Sequence, residues 1–305
     1  MRQMDQELLD TARFKIFNLS LDSRFADTYY QGTGDWMMRL PTVYKNIMRV
    51  ALSSVEIPNV AWVFSKENGN LNIGYTIGGC CGTSDTTCDN IPQVMVSIPP
   101  GNYSAASLAA AVQTALQSGA GGSGFTVSLS GATGQITIAN PSAFSLFFAS
   151  TNPAVASRSR YWGLGFWLGF REQFADICVG ESAMGSSLVL VPPPPYYIIQ
   201  LLLSGPERVD DVTHMVGQGD SVIAFAKVVL RDGVYALNFD DNANLLRKEM
   251  TFLAPVNIPQ VRFRVLDPWG NVVNLLDVDW SCTVEFYEVV NSRTHRRLQE
   301  GFGLR

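Results

Sequence analysis

Charge is scarce in this chain. Only 16% of its 305 residues are Asp, Glu, Lys or Arg, against about 25% in ordinary soluble domains. A free monomer with so few charges is poorly soluble, so the composition points to a surface covered by neighbours. The charge that is present is slightly acidic, with a net value of −5. That excludes a nucleic-acid surface, which needs clustered Lys and Arg. The one local basic cluster, Arg293, Arg296 and Arg297 with His295 among them, reads as a solvated tail.

Long hydrophobic runs are absent too. A membrane helix needs about 20 consecutive apolar residues. The most apolar stretches here, residues 196–203 and 222–230, have strand length, and no direct membrane insertion is expected. Met1 to Leu9 is polar and acidic, unlike a signal peptide. The expectation is a protein kept inside a cell until it assembles.

Histidine is nearly missing. His214 and His295 are the only two, and neither sits in a motif. A hydrolytic triad needs a base beside its nucleophile, and a jelly-roll metalloenzyme of the cupin type needs several histidines in one barrel. The sequence has no GxSxG elbow, Walker loop, Rossmann fingerprint or HExxH. Gly163-Leu164-Gly165 lacks the strand-then-helix context of a phosphate loop and reads as a tight, packed turn. No catalytic, cofactor-binding or metal-ligating residue is therefore assigned, and an enzyme is not expected.

Cysteine is odd in number: Cys80, Cys81, Cys88, Cys178 and Cys282. That count does not suit a secreted disulfide framework. Cys80, Cys81 and Cys88 share a Gly/Thr/Asp loop. Free thiols, a local disulfide and a metal site all remain open there, although adjacent cysteines lack the usual CxxC bite. The acidic pairs Asp210-Asp211, Asp240-Asp241 and Asp277–Asp279, and the segment Asp85 to Asp89, read first as turn chemistry. Calcium binding and acid–base work are the alternatives.

What the chain does have is alternation. Phe125, Val127 and Leu129 alternate with Thr126 and Ser128. Ile136 and Ile138 follow a Gly-bearing turn, which makes a hairpin. Asn68-Gly69 predicts a second hairpin between residues 62–65 and 71–77. Further strands are expected over 94–98, 197–203, 221–230, 261–266 and 280–289. In the last, Trp280, Cys282, Val284 and Phe286 share one face. The alternation over 48–57 slips at Ser53-Ser54, which predicts a bulge. One helix stands out: Ser104 caps it, Leu108, Val112 and Ala115-Leu116 recur at helical spacing, and Gly119 ends it in the left-handed conformation. Residues 119–124 read as a glycine loop and Pro192 to Pro195 as a rigid polyproline segment.

Many short strands with one helix and no β-α-β alternation predict an all-β, antiparallel sandwich. The expected division is an N-terminal arm over 1–47, with a short helix near Asp5 to Arg13, one domain over 48–290, and a tail over 291–305.

Several segments follow one another in a telling order. Glu56-Ile57-Pro58-Asn59 leads into Trp62-Val63-Phe64, then Asn68-Gly69-Asn70-Leu71 and the run from Val96 to Tyr103 directly before the helix. Thr133-Gly134, Gln135 to Ile138, Phe144 to Phe148 and Gly163 to Phe166 come next. Val261 to Leu266, Asp267-Pro268-Trp269-Gly270, Val273 to Leu275 and Asp279-Trp280-Ser281 close the series. Over residues 48–290 this order resembles the single jelly-roll minor capsid and penton proteins of large icosahedral DNA viruses, including the nucleocytoplasmic giant viruses and their virophages. The resemblance implies a single jelly roll with one inserted helix and extended terminal arms. It also implies a structural role in the virion, with the major capsid protein and other minor capsid proteins as partners and a homopentamer if the position is the vertex. A carbohydrate-binding or host-attachment jelly roll is the alternative, with Trp162, Trp167 and Trp269 as rings for sugar stacking.

Overall fold

The computed structural model describes residues 14–78, 93–148, 163–172, 174–189, 191, 196–203, 209–211, 213–216, 221–231, 233–240, 248–268 and 270–290. The chain divides into two compact units, residues 1–61 with 194–305, and residues 62–193. In chain order, the first unit opens with β1 (Phe14–Asp22), β2 (Thr28–Tyr29) and β3 (Asp35–Pro58). The second holds β4 (Asn72–Ile77), β5 (Val94–Ser97), α1 (Ala105–Ser118), β6 (Thr126–Leu129), β7 (Ile136–Ala139), β8 (Phe144–Phe147), α2 (Gly163–Trp167), β9 (Phe174–Ile177) and β10 (Ser182–Met184). The first unit then resumes with β11 (Tyr196–Leu203), β12 (Val209–Asp211), β13 (Thr213–Val216), β14 (Ser221–Ala224), β15 (Ala226–Val229), β16 (Leu237–Asp240), β17 (Glu249–Leu266) and β18 (Ser281–Val289). Every pairing between these strands is antiparallel, so the chain is largely β as the alternation predicted.

The first unit is built on one nine-stranded sheet whose main path runs β1-β18-β3-β17-β11-β15. Its strands share one hydrophobic core, from Leu19 and Leu21 through Val55, Cys282 and Phe286 to Tyr197, Val228 and Phe263. A single sheet can enclose a common core only by curling, and bulges are how strands bend. The 24-residue β3 supplies them. Thr283 pairs with Ser54 and Val284 with Leu52, so Ser53 is the extra residue, at the slip seen in the sequence. Further register shifts separate β3 from β17 around Val256, Ile258 and Gln260. In this core Trp280 meets Trp36 and Phe263 edge to face, Trp36 and Phe263 lie tilted against each other, and the Trp280 indole donates to the Thr33 carbonyl at 2.8 Å.

The second unit has a four-stranded sheet, β5-β4-β8-β9, and a three-stranded one, β10-β7-β6. Tyr75, Phe125 and Phe144 meet edge to face in its core at 4.9 and 5.2 Å. The helix α1 starts with a reciprocal Ser104–Ser107 capping box and buries Leu108, Ala109, Val112, Ala115 and Leu116. It ends differently from expectation. Gly119 is extended (φ −81°, ψ 162°), and Gly121 takes the left-handed turn at φ +74°. Gly119 is needed for closeness instead: a Cβ there would lie 2.5 Å from the Tyr75 hydroxyl and 2.9 Å from Val96. Residues 119–124 are consequently a packed turn held by Gly122 N–H to Gly119 O and Phe125 N–H to Gly122 O.

Four other expectations change. Residues 14–47 are not an arm: Phe14–Asp22 pairs with β18 along its whole length, and the boundary at Met48 falls inside β3. One domain over 48–290 is replaced by two units with separate cores, because the segment 62–193 buries its own apolar residues among themselves. Residues 62–65 do not pair with β4. Asn68-Gly69 does turn, with Gly69 at φ +63°, but Phe64 bridges Gly101, and the side chains of Asn68, Asn70 and Asn102 bond the backbone around Val63. The strand expected over 221–230 is broken into β14 and β15 at Phe225, whose N–H donates to the Ile199 carbonyl. The 5–13 helix, the polyproline segment and the 291–305 tail lie outside the described residues.

Candidate interaction surface

Among the described residues, those singled out for chemistry are not brought together. Cys282 is fully buried in the first core, where burial pushes its thiol up, helped by the charges of Glu56 and Asp22. Cys178 is half-buried. Backbone pairing sets His214 opposite Ile223. Cys80, Cys81, Cys88, His295, Asp85 to Asp89 and the Arg293–Arg297 cluster lie outside the described residues. Asp210 and Asp211 are in β12 rather than in a turn. Asp277 sits in a turn at φ +57°, and Asp279 accepts a hydrogen bond from the Ser23 hydroxyl at 2.8 Å. Among the described residues no three His, Cys, Asp or Glu side chains converge on a common point. Gly163-Leu164-Gly165 is packing: all three are buried, and a Cβ at Gly165 would meet the Phe148 ring at 2.4 Å. Of the three tryptophans considered for sugar stacking, Trp162 and Trp269 lie outside the described residues. Trp167 is half-buried with its ring 5.5 Å from that of Phe64.

The more informative surface is β16. Its sequence, Leu-Asn-Phe-Asp, alternates as a strand should, but the faces are inverted. Leu237 and Phe239 are each 61% exposed, while Asn238 and Asp240 are buried. The inversion is held from within. The Asp240 carboxylate pairs with the Lys248 ammonium, and both side chains are nearly inaccessible to solvent. Asn238 accepts the Arg231 N–H at 2.8 Å. A buried charge stays buried only when it is paired and hydrogen-bonded. The pair therefore fixes which way β16 faces and holds two apolar side chains toward solvent. Pairing with β3 sets Phe239 opposite Glu56, and Glu56 accepts hydrogen bonds from Ser54 and Ser281. Sequence reasoning read Asp240-Asp241 as a turn. The partner Lys248 is close in sequence, but the direction of the strand between them is set by tertiary packing.

A second exposed feature lies at residues 22–30. Asp22 caps a short 3-10 turn and binds the Arg24 side chain at 2.5 Å, which holds its carboxyl below the usual range. The turn lifts Phe25 to 74% exposure. Tyr29 donates to the Ser23 carbonyl, and burial, then the charges of Asp279 and Asp22, push its phenol up. Tyr30 lies under the Arg262 guanidinium at 3.7 Å, and Arg262 binds Asp35 through two 2.7 Å hydrogen bonds. In the second unit the register aligns Met95, Gly74, Phe147 and Phe174 as one row across β5, β4, β8 and β9. Met95 and Phe174 are both exposed, and the Phe147 and Phe174 rings are 5.1 Å apart. None of these signals is visible locally in the sequence, because each depends on which face of a strand looks outward. Among the described residues no helix is long and apolar enough to cross a membrane.

No family model matches the chain, and no curated protein matches it. Among solved structures, the crystal structure of a mavirus penton protein is similar, with a TM-score of 0.46 and 10% sequence identity. The match covers 91% of this chain and 100% of that one.

Proposed function

We propose that the chain is a structural subunit of an icosahedral viral shell, built on a jelly-roll-like β scaffold, at the fivefold vertex or as a minor protein cementing the major capsid subunits. The observation that carries this reading is β16: a strand whose ion-paired inner face holds Leu237 and Phe239 outward. Exposed apolar side chains that lie side by side form the kind of contiguous patch that neighbours cover. The low charge fraction and the ordered run of segments resembling minor capsid and penton proteins support the same reading. On this reading the partners are the major capsid protein and other minor capsid proteins, with a homopentamer at vertices, and the protein resides in the virion. It performs no catalysis.

The test is protein analysis of particles purified from cells that make this chain. The chain is expected in fixed proportion to the major shell protein, with the β16 region protected from protease until the shell is dissociated. A chain found only in the soluble fraction of such cells, and never in particles, would end the proposal. Selective glycan binding by the purified protein that displaces it from no particle would favour the attachment reading instead.

A further inference from the structure

The geometry points to the free edge of β1 as a self-pairing surface, on which a second copy of this chain adds its own β1 antiparallel across a twofold axis at Asn18. Sheet edges are normally blunted, because unpaired backbone N–H and C=O groups recruit other strands. Most edges here follow that rule: β5, β6, β9, β10 and β15, which end the other sheets or the far side of the large one, have three or four residues each. β1 does not. It has nine residues and pairs with β18 in unbroken register from Phe14–Val289 to Asp22–Ser281, without bulge or proline. It ends the path of the nine-stranded sheet, and among the described residues no strand pairs with its other side. Its outward side chains are accessible: Asn18 and Ser20 are exposed and Ile16 is 52% exposed.

The strand is also complementary to itself. Asn18 is its midpoint, so an axis through Asn18, perpendicular to the sheet, pairs all nine residues. It sets Asn18 against Asn18, Phe17 against Leu19, Ile16 against Ser20, Lys15 against Leu21, and Phe14 against Asp22. A twofold contact of this kind keeps each face on its own side, as an isologous sheet extension requires. The row Phe17, Leu19 and Leu21, which lines or packs against the first core, then continues from one copy into the next. Neither charge meets its like, since Lys15 faces Leu21 and Asp22 faces Phe14. This pairing does not depend on the shell role. A free dimer would use it, and so would a shell contact on a twofold axis but not one around a fivefold axis, so its failure leaves the shell proposal standing, and the reverse holds as well.

Native mass spectrometry and light scattering of the full purified chain test it, using two variants at the axis. Asn18→Lys and Asn18→Asp each place like charges directly opposite one another in the dimer but change only an exposed side chain in the monomer. The wild type is expected as a dimer of the 33.4 kDa chain, and each variant alone as a monomer with an unchanged thermal transition. An equimolar mixture of the two is expected to recover dimers that contain one copy of each. A wild type that stays monomeric at every concentration overturns the inference. So do variants that dimerise as well as the wild type, or a mixture that forms no mixed dimer.

Discussion

The two units solve the same problem in opposite ways. The second, residues 62–193, is one continuous piece of chain. It closes its core with two short-stranded sheets, a capped helix and an aromatic line from Tyr75 through Phe125 to Phe144. The first is split between both ends of the chain and closes its core with a single curled sheet. Its outer pair, β1 and β18, joins Phe14 to Val289. Short strands need a second layer to bury their apolar face, whereas long strands with bulges can curl around it. In this molecule the long, bulged strands go with the single curled sheet and the short strands with the two-sheet solution.

The sharpest way to break this comparison is to open one core at a time. Trp280→Ala in the first unit and Phe125→Ala in the second should each cost about 3–5 kcal/mol. If the cores are separately cooperative, calorimetry will show two transitions, each lowered by its own variant and spared by the other. One shared transition lowered equally by both would mean that the two cores unfold together.

The buried Asp240–Lys248 pair ranks close behind. Lys248→Met strands a carboxylate in the interior and should cost roughly 3–5 kcal/mol in urea unfolding. Replacing both members, Asp240→Leu with Lys248→Met, should recover most of that loss. If the single variant is harmless, the pair does not hold β16. Smaller again is Gly165→Ala, where the added methyl meets the Phe148 ring and overpacking costs about 1–3 kcal/mol. Ser104→Ala removes the α1 cap at about 1 kcal/mol and should act on the second unit's transition only.

The smallest effect is electrostatic. Arg24 lowers the Asp22 pKa in the folded state. The stability this contributes is present above the unfolded carboxylate value, about 3.9, and is lost as pH falls through the lower folded value. Acid titration of the wild type against Asp22→Asn should show a slight difference that vanishes in high salt, since the Arg24 side chain is largely exposed.

What was legible in the sequence was local. The Trp280–Phe286 face, the 125–138 hairpin, the bulge at Ser53 and the Ser104 cap are all written in neighbouring residues. β1 was equally legible in Phe17, Leu19 and Leu21, but the irregular β3 behind it blurred the period and made the whole segment look like an arm. Two kinds of information were not local. Gly119 looks like a helix stop, and only the Tyr75 hydroxyl beside it shows that it serves close packing. The alternation of Leu237 to Asp240 says strand but not which side faces in, because that choice belongs to Lys248. The candidate surface was hidden for the same reason: facing is decided in three dimensions.

The pairing of β1 with β18 also sets an order of events during synthesis. Ser23 and Trp280 share backbone and side-chain hydrogen bonds across 257 positions of sequence. A ribosome adds about 5–20 residues per second, so the first strands wait roughly 10 to 50 s for the last one. Throughout that interval the apolar row of β1 and β3 lacks the strand that belongs between them. The nascent chain is thus most exposed to chaperones, and to premature association with its siblings, until β18 emerges.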